Sequence, residues 1–120
     1  MAIFIQRPSI IEAAGNKPKI IEEYVGRVNS RTPYVSIARM KSPAGWTEPA
    51  QCPDFDEYTV VLSGVLQVET KGNIFTVNAG QAIALTKGEW VRYSSPREEG
   101  AEYVSVCIPA FSPDIVHREE

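Results

Sequence analysis

The sequence predicts an all-β sandwich or barrel preceded by one short helix. Two observations carry that prediction. After residue 34 the chain falls into runs of four to seven residues, several alternating apolar with polar side chains. Turn residues separate the runs every eight to ten positions, too often for helices of ordinary length.

Residues 9–15, SIIEAAG, form the expected helix. Ser9 followed by Glu12 fits a capping box, and Gly15 suits the position past a helix C-terminus. After Lys17-Pro18 the segments KIIEEYVGRV and PYVSIARMK turn β-rich. DEYTVVL then ends at Ser63-Gly64, VLQVET at Lys71-Gly72-Asn73, and IFTV at Asn78-Ala79-Gly80. AIAL ends at Thr86-Lys87-Gly88, WVRYS at Ser95-Pro96, and EYVSVCI at Pro109. Strand alternation places Glu57, Thr59 and Val61 on one face, and Tyr58, Val60 and Leu62 on the other. By the same rule Val91 shares a face with Tyr93, while Tyr103, Ser105 and Cys107 oppose Val104, Val106 and Ile108. The tail, PAFSPDIVHREE, has two prolines and no strand pattern. It is expected along the outside, over a barrel mouth, or against a neighbouring subunit.

The chain's 120 residues amount to one domain's worth, divided as 1–34, 35–109 and 110–120. Its formal charge is −3, and no Lys/Arg cluster supplies the electrostatic footprint of a nucleic-acid binder. Gln6, Arg7 and Pro8 break the apolar start before a signal peptide can form, and no run is long enough to span a membrane. Cys52 and Cys107 are too few for a disulfide scaffold. A cytoplasmic protein with free thiols is expected, with a single Cys52–Cys107 bridge as the alternative.

The order of strands and turns resembles the cupins, over roughly residues 35–109. The first cupin motif has a glycine, two histidines one residue apart, a glutamate, and a glycine six residues beyond it. Gly45, Glu57 and Gly64 match, while Gln51 and Pro53 occupy the histidine positions. In the second motif Gly80 and Gly88 match, Thr86 replaces a proline, and Val91 occupies the histidine position. The resemblance implies a double-stranded β-helix, or jelly-roll barrel. It also implies a homodimer with Val104, Val106 and Ile108 as a candidate interface, unless these face inward. Cupins commonly hold Fe, Mn, Ni or Zn on histidines and a glutamate. This chain has one histidine, His117, outside both motifs. A multi-histidine site within one chain is therefore excluded, and the metal motifs are degenerate.

Glu57 is the first candidate site residue, because the resemblance points its carboxylate into the barrel. There it would act as general base or metal ligand; otherwise it pairs with an arginine or meets solvent. A buried carboxylate needs a partner or a proton. Gln51 offers an amide oxygen, better suited to a substrate than to a first-row metal. Tyr93 could donate a proton or orient a ligand, or could be a core aromatic. Trp46, Thr59 and Val91 complete the expected ligand-binding wall. A reduced metal site would use Glu57, Gln51 and His117, with Glu48, Asp54 and Asp56 as further oxygen donors for a hard cation; a solvated tail and an acidic loop are the alternatives. Cys52 has no base nearby, and Cys107 reads as a buried small hydrophobe.

Two function classes remain open. One is an isomerase, lyase or decarboxylase for a small polar metabolite, with proton transfer by Glu57 and orientation by Gln51 and Tyr93. The other is a non-catalytic ligand-binding, sensor or accessory cupin.

Overall fold

The structure is a computed structural model, and it describes residues 1–119. Nine strands run in the order β1 (Ser9–Ile11), β2 (Ile20–Val25), β3 (Ser36–Ser42), β4 (Trp46–Thr47), β5 (Asp56–Thr70), β6 (Asn73–Asn78), β7 (Ala82–Leu85), β8 (Val91–Ser95) and β9 (Ala101–Ile108). One short helix, α1 (Pro113–Val116), follows them. The strands form a curled sheet of order β1-β2-β3-β9-β5-β8-β4, with β6 and β7 also paired to β5. All pairings are antiparallel.

β5 organises the fold. Residues 56–64 pair with β9, residues 65–70 pair with β6, and residues 67–70 also pair with β8. Ser63-Gly64 therefore does not end a strand as expected; it turns one long strand from one half of the curled sheet into the other. The register with β9 shifts between Val61 and Ser63, as a β-bulge does where a strand bends. Gly64 has φ 72°, and a Cβ there would strike the backbone of Gly100. Both demands select glycine.

The expected helix at residues 9–15 is absent. Ser9, Ile10 and Ile11 instead pair with Glu23, Glu22 and Ile21. Ser9 Oγ bonds Asn29 Oδ1 at 2.5 Å, so it caps nothing. A helix of two turns is marginal unless it is packed, whereas an adjacent strand edge satisfies the same backbone groups. The short helix lies in the tail, where Ser112 caps it and Asp114 N donates to Ser112 Oγ at 3.3 Å.

The predicted alternation is realised. Glu57, Thr59 and Val61 are buried, and Tyr58, Val60 and Leu62 are exposed. The main core joins Trp46, Val61, Leu66, Val68, Val77 and Val91 with neighbours between the two halves of the sheet. A smaller cluster of Phe55, Cys107 and Val116 lies beneath the tail, with Phe111 and Ile115 against it. Cys52 is exposed, Cys107 is buried, and both are free thiols. Among the described residues no helix is long and apolar enough to cross a membrane.

Candidate functional site

Inward-facing side chains of β2, β3, β5, β8 and β9 leave a cavity of ≈ 50 Å³ at one end of the barrel. The loop after β4 and the C-terminal tail close it. That loop is stitched on both sides. Gln51 N and O bond Val91 O and N, each at 2.9 Å. On the other side Cys52 N donates to His117 O at 3.3 Å, Asp54 N to Ile115 O at 2.8 Å, and Glu119 N to Ala50 O at 2.7 Å.

Glu57 projects from β5 into this cavity and is 8% exposed. Tyr93, on β8, donates its hydroxyl proton to Glu57 Oε1 at 2.9 Å. Burial raises the pKa of Glu57, and the carboxyl of Glu48 raises it further; the Tyr93 hydroxyl, Lys19 and Ser105 act in the opposite direction. Burial likewise holds the Tyr93 phenol well above its ordinary value, with the Glu57 charge adding to it. Tyr93 therefore stays protonated, and Glu57 keeps its proton to higher pH than a solvated carboxylate does. Glu48 is also raised by burial, against the opposing charges of Lys19 and Arg118. Arg118 Nη2 lies 3.9 Å from Glu48 Oε2, a long contact.

Lys19 sits with its ammonium 4.2 Å from the centroid of the Trp46 ring and 5.2 Å from that of Tyr103, a cation–π arrangement. Tyr103 in turn shares a hydrogen bond with Ser42 Oγ at 2.7 Å. Glu23 is buried at the same wall, but its Oε1 already accepts from Val28 N and Asn29 N at 3.0 and 2.8 Å. Burial and the Glu57 carboxylate raise the pKa of Cys107, so its sulfur remains a thiol.

Of the residues singled out in the sequence, Glu57, Tyr93, Gln51 and Glu48 line the cavity together. Trp46, Thr59 and Val91 lie behind it. Trp46 is fully buried and donates Nε1–H to Ala14 O at 3.1 Å. Thr59 Oγ1 pairs with Ser105 Oγ at 2.9 Å, one layer under Glu57. Val91 belongs to the core. His117 does not join Glu57 and Gln51: it is exposed, in left-handed backbone at φ 51°, and its Nε2 lies 2.7 Å from Asp54 Oδ2. Asp56 faces away and accepts from Lys87 N at 2.9 Å. Lys19, Tyr103 and Arg118 reach the cavity without having been singled out. Lys19 precedes β2 in no motif, and Arg118 arrives only through the path of the tail.

A divalent first-row metal does not fit this donor set. Glu57 Oε1 already takes the Tyr93 proton, Gln51 supplies a weak amide oxygen, His117 is turned to Asp54, and two cationic side chains share the wall. Among the described residues no three His, Cys, Asp or Glu side chains converge as ligands.

No family model matches the sequence. It is 42% identical over 101 residues to the endoribonuclease YbeY of Myxococcus xanthus, a match covering 84% of this chain and 34% of that protein. The chain thus spans about a third of the curated relative it matches. Among solved structures, an RmlC-like cupin from Shewanella frigidimarina superposes with a TM-score of 0.73 at 14% identity, covering 94% of each chain. A predicted oxalate decarboxylase from Thermotoga maritima gives 0.72 at 18% identity, over 91% of this chain and 99% of that one. Together with the curled antiparallel barrel, these likenesses give the chain the cupin fold.

Proposed function

We propose that this small cupin-fold protein is an acid–base enzyme for a small polar metabolite, an isomerase, lyase or decarboxylase. Glu57 moves the proton while Tyr93 and Gln51 orient the substrate. The carrying observation is the Tyr93–Glu57 hydrogen bond in the wall of the cavity. A general base works best with a pKa near the working pH, and burial moves Glu57 in that direction. In an isomerase or lyase, Glu57 in its charged form accepts a proton from the substrate and returns it to the product or to the leaving group; in a decarboxylase its protonated form supplies the proton that replaces the lost CO₂. Tyr93 holds Oε1.

The test is deuterium exchange. The protein is incubated in D₂O with a panel of small oxo and hydroxy metabolites, and loss of C–H signal is followed by NMR. Glu57→Gln should slow exchange about 10²- to 10⁴-fold. An unchanged rate removes Glu57 from the role.

A second reading, an accessory or sensor module, is favoured by the 42% identity to a segment making up about a third of a longer endoribonuclease. In that reading the nuclease chemistry belongs to the remainder of the longer protein, and the cavity only binds. Exchange indistinguishable from buffer across the panel, with a ligand still bound, supports this reading over the first.

The assembly we propose is a homodimer through the outer face of β3, β9 and β5. The pairing register places Ile37, Val106 and Tyr58 in one row, and Arg39, Val104 and Val60 in the next. Arg39 of that second row pairs with Glu102 on the same face, so both signs of charge are available to a two-fold related copy.

A further inference from the structure

Two buried polar atoms among the described residues have no hydrogen-bond partner, and both belong to side chains that line the cavity: Gln51 Oε1 and Arg118 Nε. They are neighbours by construction, because Gln51 and Arg118 face each other in an antiparallel bridge between the loop and the tail. Gln51 is only 4% exposed. One atom is an acceptor and the other is a donor, yet they do not satisfy one another. Native interiors seldom leave such atoms unmet, and an unmet pair at a cavity is a template for the ligand that completes it.

We propose that the cavity takes a small 2-hydroxycarboxylate. Its carboxylate accepts from Arg118 Nε–H, and its hydroxyl donates to Gln51 Oε1. This inference rests on the reading of the Glu57–Tyr93 cavity as the site and names its substrate class. Charge agrees with it. The Glu23 carboxylate is taken up by backbone N–H groups, and Lys19 and Arg118 both line the wall, so two cations are at hand for an anion. Size agrees as well. A volume of ≈ 50 Å³ holds roughly four waters at about 10–15 Å³ each, which suits a ligand of about two or three carbons.

The probes are glycolate, acetate, which lacks the hydroxyl, and ethylene glycol, which lacks the carboxylate. Each is titrated into the full chain, with the Arg118 Nε–H and Gln51 side-chain amide resonances followed by ¹⁵N NMR. Glycolate should shift both resonances and bind about ten-fold or more tightly than acetate, the usual scale for one buried hydrogen bond to a well-placed partner. Ethylene glycol should not saturate. Gln51→Leu should bring glycolate and acetate within about two-fold of one another, and Arg118→Gln should weaken both. Equal affinities for glycolate and acetate on the wild type, or an Arg118 resonance that does not move, overturn the proposal; a water bridging the two atoms would give that result. The wild-type comparison needs no variant to fold. It is also independent of turnover. Glycolate preference together with undiminished exchange in Glu57→Gln sinks only the proton-transfer reading. Absent preference together with exchange that depends on Glu57 sinks only the ligand class.

Discussion

The Tyr93 hydroxyl donates to Glu57 Oε1 at 2.9 Å, and this bond joins β8 to β5 across the cavity. It lowers the Glu57 pKa against a larger opposing effect of burial. Tyr93→Phe should therefore push the Glu57 pKa further up, because it removes a donor to the charged form and leaves the desolvation in place. The measurement is a ¹³C titration of the Glu57 side-chain carboxyl in both proteins. The midpoint should move to higher pH in the variant, and any Glu57-dependent exchange should need a correspondingly higher pH. A midpoint that moves down would mean that the hydroxyl donates elsewhere.

The same carboxyl makes stability depend on pH. Glu57 and Glu48 both have folded-state pKa values raised above the ordinary 4.5. The folded state then binds more protons than the unfolded state between that value and the raised one, so stability falls as pH rises through this window. Below about pH 4.5 the contribution is fully present. Urea denaturation across this range should show a declining midpoint on the alkaline side. Glu57→Gln, neutral at every pH, should flatten the decline in part, with Glu48 supplying the rest. A midpoint in the wild type that rises steadily across the window would contradict the assignment.

The alternation of Glu57, Thr59 and Val61 against Tyr58, Val60 and Leu62 is legible in the sequence because a strand's facing is a local property of period two. Which of the two faces is the inner one is not local, and the inward direction of Glu57 comes from the cupin resemblance of Gly45, Glu57 and Gly64. Residues 9–15 misled because a capping box and a terminal glycine are also local signals, and they lost to the free edge of β2, which is not local. His117 was attractive as the chain's one imidazole, but its approach to Asp54 depends on how the tail runs after α1. Lys19 and Arg118 lie at opposite ends of the chain, and nothing in either neighbourhood announces that they meet at one wall. Thr59 and Val91 face inward, but neither lines the cavity: Thr59 is taken up by Ser105, and Val91 by the core.

Gly64 is where β5 crosses between the two halves of the sheet, and its requirements are the strictest of any turn here. Its φ of 72° suits glycine, and a Cβ would meet the carbonyl of Gly100, whose own φ is 66°. Neither side is a flexible side chain able to move aside. Gly64→Ala should cost about 3 kcal/mol or more through left-handed strain combined with a backbone clash. Gly72→Ala is the matched control, since its φ of 88° is similarly positive but nothing lies within 4 Å of the added Cβ. It should cost only about 1 kcal/mol, the strain alone. Equal losses for the two in denaturant melts would show that the crossing at Gly64 is looser than its geometry implies.

The proposed dimer rests on the outer face of β3, β9 and β5. Tyr58, Val60 and Ile108 are 45%, 46% and 46% exposed, and the register lines them up with Ile37, Val104 and Val106 across three strands. A contiguous apolar strip of this kind is more often an interface than bare surface. In the proposed dimer each copy covers the other's strip, and Val106 and Val60 lie near its middle. Val106→Glu would bury a carboxylate twice over, once on each side of the two-fold axis, at a cost no homodimer of ordinary affinity absorbs. Light scattering with size exclusion should give twice the chain mass of 13.3 kDa for the wild type and the single-chain mass for Val106→Glu. Circular dichroism of the variant should keep the β-sheet spectrum, because the Val106 side chain points away from the core. A wild type that elutes as a monomer across the accessible concentration range would leave this face to some other partner and end the dimer proposal.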